Sequence, residues 1–503
     1  MVPLELHTGI LPSRDNLEQF ILGHLAASLL FPCKCLRHTS RYFSALYHVL
    51  SKKPRQIRSC PQIAPTACST PPHAVALPSP AFNPPKRLHR MSINRLTWLL
   101  TATLLCLAPA LQAHDKVRQP PENEARLIRF PDAGGYQTLV ADLHTHSVFS
   151  DGHVWPSIRV SEALRDGLDA LAITEHLEWQ PHRADLPHPD RNRAFEEAVA
   201  ALPDGSDLIV IAGSEITREE PAGHMNAVFL SDANALLKVD SDPGTDRIDY
   251  YRAANEWPPE EAVRAANEQG AFVFWNHPFW TATQPTGVSR MTDFHAALIE
   301  AGHLHGIEIA NGATYSEHAH RLAMDHELAL IGVSDIHDLV DWDYPPALGA
   351  HRPVTLVFVE ERSAAGIRDA LFAQRTVVWF KNLLVGREAV LKPLLQAALD
   401  VKDAAYRRIP DIRNRGKEIE LAIVDLTLTN NSDADVRLRN RSPYTFTQHA
   451  DEMTIPAHGS LRLTVRPGEK VPQINLDFEI TNALVAPKTP LRMQHLVELE
   501  VGG

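Results

Sequence analysis

Beyond residue 106 the chain has no cysteine; Cys33, Cys35, Cys60, Cys68 and Cys106 are the whole supply in 503 residues. A product trimmed after residue 113 would hold no thiol. That excludes disulfide staples, a thiol nucleophile and a cysteine-ligated zinc site. Positive charge is scarce too. Residues 114–503 carry 37 Lys and Arg against 58 Asp and Glu, a net charge near −21. Such a surface is a poor partner for a nucleic-acid duplex. An anionic substrate would need a local positive centre, which metal ions supply. Long apolar runs are also missing. The apolar stretch within "MSINRLTWLLTATLLCLAPALQA", 91–113, is about a dozen residues long, short of the roughly 20 that a bilayer span requires. No internal repeat stands out.

That same stretch has the layout of a secretory signal: Arg95 near its start, the apolar segment, then small residues before a cut after Ala110 or Ala113. A signal opens a protein, so translation is expected to start at Met91. Residues 1–90 are rich in proline and basic side chains without sustained periodicity, and are read as a mis-assigned or disordered extension. The expected location is periplasmic or secreted, with no stable membrane span after cleavage.

From about Tyr136 short apolar runs alternate with helical patterns. "TLVADLHTH", "DALAITEH", "AFVFWNHP", "GIEIAN" and "LALIGVSDIH" read as strands, and "DLIVIAGSEIT" with "GHMNAVFL" as a strand pair. "PSIRVSEALRDGL", "RNRAFEEAVAAL", "PEEAVRAANEQG", "TDFHAALIEAG" and "SEHAHRLAMDHE" read as helices between them. Strands that are apolar throughout and alternate with helices predict a parallel sheet covered by helices; six or seven units in this length predict a β/α barrel over 114–408. From Lys417 the text changes to alternating runs separated by "NNSD" and "AHGS", which predicts a small antiparallel β-sandwich over 409–503 with no evident chemistry of its own.

Polar residues gather at the strand ends. His144 and His146 are two apart on a strand, so both face one way. Asp151 lies in the following loop. His176, Glu215, His224, His277, Asp335 and His337 close the other motifs. All nine are imidazoles or carboxylates, a donor set that suits Zn²⁺, Mn²⁺ or Fe²⁺ better than Ca²⁺ or Mg²⁺. Nine ligands exceed the need of one ion, which predicts a cluster of two or three with a bridging carboxylate. Glu308 or Asn311, and Asp142, are candidates to orient ligand histidines. Trp179, Trp275 and Trp280 are candidate walls. Lys381 and Arg218 are candidates to bind a phosphate oxygen.

The motifs "DLHTHSVFSDG", "ITEH", "GSEIT…GHMN", "NHP" and "SDIH", in this order, resemble those of the PHP (polymerase and histidinol phosphatase) superfamily of metal-dependent phosphoesterases. The resemblance covers about 138–340. It implies a distorted (β/α)7 barrel. It implies one metal on His144, His146, Glu215 and Asp335, a second sharing Glu215 with His224 and His277, and a third on Asp151, His176 and His337. Glu175 departs from the family's more usual Asp, which bears on the surroundings of His176. With Asp151 in place, His153 is not expected to be a ligand.

The implied activity is hydrolysis of a small-molecule phosphate ester. Metals at close range deprotonate a shared water and neutralise the charge of in-line attack. His337 or His176 would protonate the leaving oxygen. Export argues against histidinol phosphate and polymerase proofreading and suits diesters or monoesters; an exported chain with a C-terminal extension resembles the superfamily's phosphodiesterase branch, which implies phosphate diesters. A phosphomonoesterase, such as a nucleotidase or sugar phosphatase, is the alternative, and a non-catalytic metal- or ligand-binding protein is the alternative of another class.

Overall fold

The computed structural model describes residues 127–240 and 244–500. The leader expected at 91–113 and the extension at 1–90 lie outside the described residues. No helix among the described residues is long and apolar enough to cross a membrane.

The N-terminal part contributes β1 (Gln137–Asp142), β2 (Ala170–Ile173), β3 (Ile209–Thr217), β4 (His224–Val228), β5 (Phe272–Trp275), β6 (Gly306–Asn311), β7 (Thr314–Tyr315), β8 (Ala329–Val333), β9 (Val354–Val359), β10 (Thr376–Phe380) and β11 (Leu383–Gly386). β1, β2 and β3 pair in parallel, as do β5, β6 and β8. β4 runs antiparallel to both β3 and β5, and β9 runs antiparallel to β1. The parallel sheet predicted from the alternation is therefore corrected to a mixed one, because apolar periodicity carries no strand direction. Among the described residues no ladder joins β8 to β9. Thr355 spans the gap instead: its Oγ accepts from Gly332 N–H and donates to Gly332 C=O, each at 2.9 Å. Glycine is required at 332 because a Cβ there would run into Cγ1 of Val378 on β10.

The strands' small and branched side chains (Leu139, Ala141, Ala172, Ile211, Phe274, Ile331) fill one buried cluster. The connecting helices cover the outside. Helix Pro156–Asp166 has a proline in its first turn and ends on Gly167 at φ 71°, the usual asymmetry of start and stop. Ser316 Oγ accepts from Ala319 N–H at the start of helix Glu317–Asp325, as an N-cap should.

The C-terminal strands are β12 (Leu399–Pro410), β13 (Glu418–Asn430), β14 (Val436–Asn440), β15 (Thr445–Thr447), β16 (Glu452–Ile455), β17 (Ser460–Arg466), β18 (Gln473–Ala486) and β19 (Thr489–Glu498). β12, β13, β17 and β15 form a four-stranded antiparallel sheet. The others are not separate from the barrel: β18 pairs in parallel with β11, Leu384 opposite Ala483 and Val385 opposite Leu484. β14, β16, β18 and β19 thereby belong to one 15-stranded sheet with the barrel strands. A boundary at 408/409 also cuts through β12.

At the C-terminal end of β1, Arg352 is fully buried and binds two carboxylates, Asp142 at 3.1 Å and Asp166 at 2.9 Å. Ser334 N–H also donates to Asp142. Asp142 thus locks β1 to β8 and β9 and does not reach His144. Removing one member of such a buried ion group leaves charge uncompensated. Arg352→Met should lower stability by about 3–5 kcal/mol in urea unfolding; a change under about 1 kcal/mol would show that the group holds nothing together.

Candidate metal centre

Strand direction explains why the polar residues meet. β1, β2, β3, β5, β6 and β8 all end at one mouth, and the reversed β4 begins there. His144 and His146 follow β1, His176 follows β2, Glu215 lies near the end of β3, His277 follows β5, and Asp335 and His337 follow β8. His224 is the first residue of β4. The segments beyond the ladders stay hydrogen-bonded, through bridges Thr145–Ile336 and His176–Glu215, so ligand-bearing loops are held as strand extensions.

Glu215 is fully buried at the centre. Its Oε2 lies 3.1 Å from His144 Nε2, 3.2 Å from His146 Nε2 and 3.0 Å from His176 Nδ1. Its Oε1 lies 2.9 Å from His224 Nδ1 and 3.5 Å from His277 Nε2. Asp335 Oδ1 stands 3.2 Å from His144 Nε2 and 3.1 Å from His146 Nε2. Asp151 Oδ1 stands 3.1 Å from His337 Nε2, 3.4 Å from His176 Nε2 and 3.9 Å from His146 Nδ1. Three donor groups result, each with ligand atoms within 4.8 Å of one another: His144, His146 and Asp335; His146, Asp151, His176 and His337; and His176, Glu215 and His224. His277 adjoins the last through Glu215. All nine candidate ligands are thus brought together, and the oxygen and imidazole donors fit divalent first-row ions. His146 and His176 each adjoin two groups, a closeness that spacing alone did not show.

The electrostatics fit cations at this spot. Burial works against a charged His144, yet Asp335, Glu215 and Glu308 outweigh it and hold its pKa well above the ordinary imidazole value. Burial is likewise overcome at His146, whose hydrogen bonds to Asp335 and Glu215 push its pKa up to about 10. His277 is raised against burial by Glu215, Asp335 and Glu308, while burial keeps His224 low. Burial would raise Asp151, Glu215 and Asp335, but the surrounding imidazoles hold all three below the carboxylate range. The carboxylates therefore stay ionised and favour protons on His144, His146 and His277. A metal must displace those protons, so affinity weakens as pH falls.

Supporting contacts fix the ligand atoms. Glu308 is fully buried; its Oε1 accepts from His144 Nδ1 at 2.7 Å, which leaves Nε2 facing inward. Its Oε2 accepts from His277 N–H at 2.6 Å and from Asn311 Nδ2 at 2.9 Å. Asn311 also donates to Asp335 Oδ2 at 3.1 Å. His277 (φ 25°) and Asp335 (φ 51°) sit in left-handed backbone that disfavours side chains. The Glu308 bond and the Asp335 N–H to His144 C=O bond at 2.9 Å hold them there. Glu175 accepts from Ser147 N–H at 3.1 Å and from the hydroxyls of Ser147 and Ser150, pinning the "HTHSVFSDG" loop. The longer Glu side chain spans from one strand end to the next loop. Gly152 closes that loop, and a Cβ there would lie 2.7 Å from Ser147 N.

Several supporting residues escape a sequence reading. Asn276 donates to Glu215 Oε1 at 3.0 Å; the "NHP" motif contains it, but only the histidine drew notice. Buried Arg159 donates to the carbonyls of His146 (2.8 Å), His337 (2.8 Å) and Asp338 (2.7 Å), clamping two ligand loops together. It is one helical residue among many in "PSIRVSEALRDGL", and nothing local marks it.

Other candidates are placed elsewhere. Lys381 is the φ 54° corner of the β10–β11 hairpin; its Nζ donates to Ala313 C=O at 3.3 Å and lines a different cavity, with Tyr344 and Trp379. Arg218 lines the metal-side cavity, but its guanidinium is committed to the carbonyls of Ala254 (3.0 Å) and Trp257 (2.7 Å) and to Glu178 (3.0 Å). Lys381 thus stands apart from the metal-side cavity, and Arg218 spends Nη1 on two carbonyls and Nη2 on an ion pair with Glu178. Trp275 stacks on His295 at 3.7 Å within the core, while Trp179 and Trp280 line the cavity. His153 points outward and pairs with Asp338 at 2.7 Å.

A two-domain protein from Bacteroides vulgatus, described as containing a predicted PHP-like metal-dependent phosphoesterase, is 36% identical over 74% of this chain and 99% of that one, with a TM-score of 0.63. A putative metal-dependent phosphoesterase from Bifidobacterium adolescentis is 21% identical over 42% of this chain and 89% of its own, with a TM-score of 0.28. An amidohydrolase from Chromobacterium violaceum is 19% identical over 39% and 87%, with a TM-score of 0.27. A family model described as an Ig-like domain matches residues 400–495. No curated protein sequence matches the chain.

Glu308→Gln should place an amide donor against His144 Nδ1 or His277 N–H. Loss of such an orienting carboxylate typically weakens metal binding by about 10–100-fold. Competition with a chromophoric chelator measures this directly; wild-type affinity in the variant would refute the orienting role.

Proposed function

Because the chain belongs to the PHP superfamily of metal-dependent phosphoesterases, we propose that it is an exported enzyme that hydrolyses phosphate diesters with two or three divalent ions. The observation that carries this reading is the junction of three donor groups at Glu215 and Asp335. Ions bound there would supply an activated water and neutralise charge on the phosphoryl oxygens. The chain's own residues prepare the place. Glu308 and the Asp335 carbonyl, which accepts from His337 Nδ1 at 2.8 Å, aim His144 and His337 through their Nε2 atoms. For protonating the leaving oxygen His337 is favoured over His176, since its side chain is 34% exposed against 7%. That role requires its Nε2 to be free of metal at the moment of transfer.

Support for a diester comes from the cavity beside the centre, about 980 Å³, which far exceeds a phosphate group. The leader-like segment at 91–113 supports export. An exported enzyme of this kind would release phosphate esters from small molecules outside the cytoplasm.

Reconstituted with Mn²⁺ or Zn²⁺, the protein should show a higher kcat/KM for bis(p-nitrophenyl) phosphate than for p-nitrophenyl phosphate. Asp335→Ala should lower both metal content and turnover, the latter at least about 100-fold. A clear monoester preference would overturn the diester assignment. Metal binding that depends on Asp335 without turnover of any ester would make the protein a metal-binding relative without catalysis.

A further inference from the structure

The cavity is much larger than the metal centre needs, and its two ends differ in chemistry. At one end stand His176, His224, His277, Asp335 and His337. The rest of the wall includes Trp179, Ile248, Tyr251, Phe279, Trp280 and Tyr315. Trp280 is the residue that joins the two. It follows "NHP" by two positions, and its ring centroid lies 5.7 Å from that of His224 and 5.6 Å from that of His277. It is 47% exposed, so a face of the indole remains open beside two candidate ligands. Its backbone is fixed: Trp280 N–H donates to His277 C=O at 2.8 Å, and Trp280 C=O accepts from Thr283 N–H (3.1 Å) and Gln284 N–H (2.7 Å). The ring is thus presented by a tight turn anchored on a ligand residue, which is how a rigid contact surface is built.

Charge sorts what could rest there. Among the described residues that line the cavity, Arg218 is the only permanent cation, and its guanidinium is committed to Ala254, Trp257 and Glu178. Glu219 adds negative charge to the wall, and Glu317 there pairs with Lys488 at 3.1 Å. No other lining side chain offers a permanent positive charge to a second phosphate or a carboxylate on the substrate; Arg247, 5.7 Å from the Trp179 ring centroid, and Lys488, 3.1 Å from Glu317, stand outside the lining. A flat apolar group would find an indole face.

We propose that Trp280 is a specificity-determining residue: it receives an uncharged aromatic ester arm of the phosphate substrate, and the cavity rejects a substrate with a second anionic group. This rests on the phosphoesterase reading of the metal centre. It adds which ester is taken.

Phosphonates test it without turnover, since their C–P bond is not hydrolysed and the carbon group stands where the ester arm would. Isothermal titration of Mn²⁺-loaded full-length protein would compare phenylphosphonate, methylphosphonate and 3-phosphonopropionate. Phenylphosphonate should bind about tenfold or more tightly than methylphosphonate, and 3-phosphonopropionate no more tightly than methylphosphonate. Trp280→Ala should abolish most of the phenyl advantage, and Trp280→Phe should restore part of it. Circular dichroism checks that each variant keeps the fold, as expected for a half-exposed side chain. Equal affinities for phenyl and methyl compounds, an unchanged phenyl advantage in Trp280→Ala, or tightest binding of the carboxylate would overturn the proposal. Binding of none of the three would instead remove the phosphoesterase reading on which it rests, and the proposal with it.

Discussion

One buried carboxylate sets the terms for the whole mouth at which the strands end. Glu215 is fully buried and faces five imidazoles: His144, His146, His176, His224 and His277. A carboxylate out of water needs positive charge and hydrogen-bond donors around it. Protons on the histidines or divalent ions between them meet that need, and both draw on the same ring nitrogens. The fold follows this constraint. Three parallel strands deliver His144, His146, His176 and Glu215 from one side. A reversed strand brings His224 back to the same place, with its register set by the pairing of Thr217 with His224 and of Glu215 with Asn226. A wholly parallel barrel would start β4 at the opposite end and lose His224 from the centre.

That the nine candidate ligands meet was legible in the sequence because they sit in compact motifs at strand ends, where alternation fixes which way a side chain faces. The orienting role of Glu308 was legible in outline for the same reason, as the third residue of "GIEIAN". What failed to show was of three kinds. Strand direction did not, since β4 and β9 have the same apolar pattern as their parallel neighbours. Long-range clamps did not: Arg159 reaches His337 and Arg352 reaches Asp166, across 178 and 186 residues of chain. Competing commitments did not either. Arg218 and Lys381 have the right charge for phosphate, but the carbonyls and carboxylate around one and the hairpin geometry of the other place their charges elsewhere.

The C-terminal strands illustrate the same limit at a larger scale. Their alternation marks an antiparallel region, and residues 400–495 match an Ig-like family. Only the pairing of β11 with β18 reveals that half of this region extends the barrel's own sheet. Asn482 strengthens the junction, its Nδ2 donating to Asn382 C=O at 2.7 Å and Asp435 C=O at 2.8 Å. The N-terminal strands and half of the C-terminal ones therefore share one hydrogen-bonded sheet, and the candidate metal centre sits in a scaffold larger than its motifs.

The central claim is that Glu215 joins the donor groups into one multinuclear centre. Metal content after equilibration with Mn²⁺ or Zn²⁺ at fixed pH, measured by elemental analysis on wild type and Glu215→Gln, tests it most directly. The account predicts roughly two to three equivalents in the wild type and a loss of at least about one in the variant, with the fold retained by circular dichroism. Equal metal content in the two proteins would contradict it.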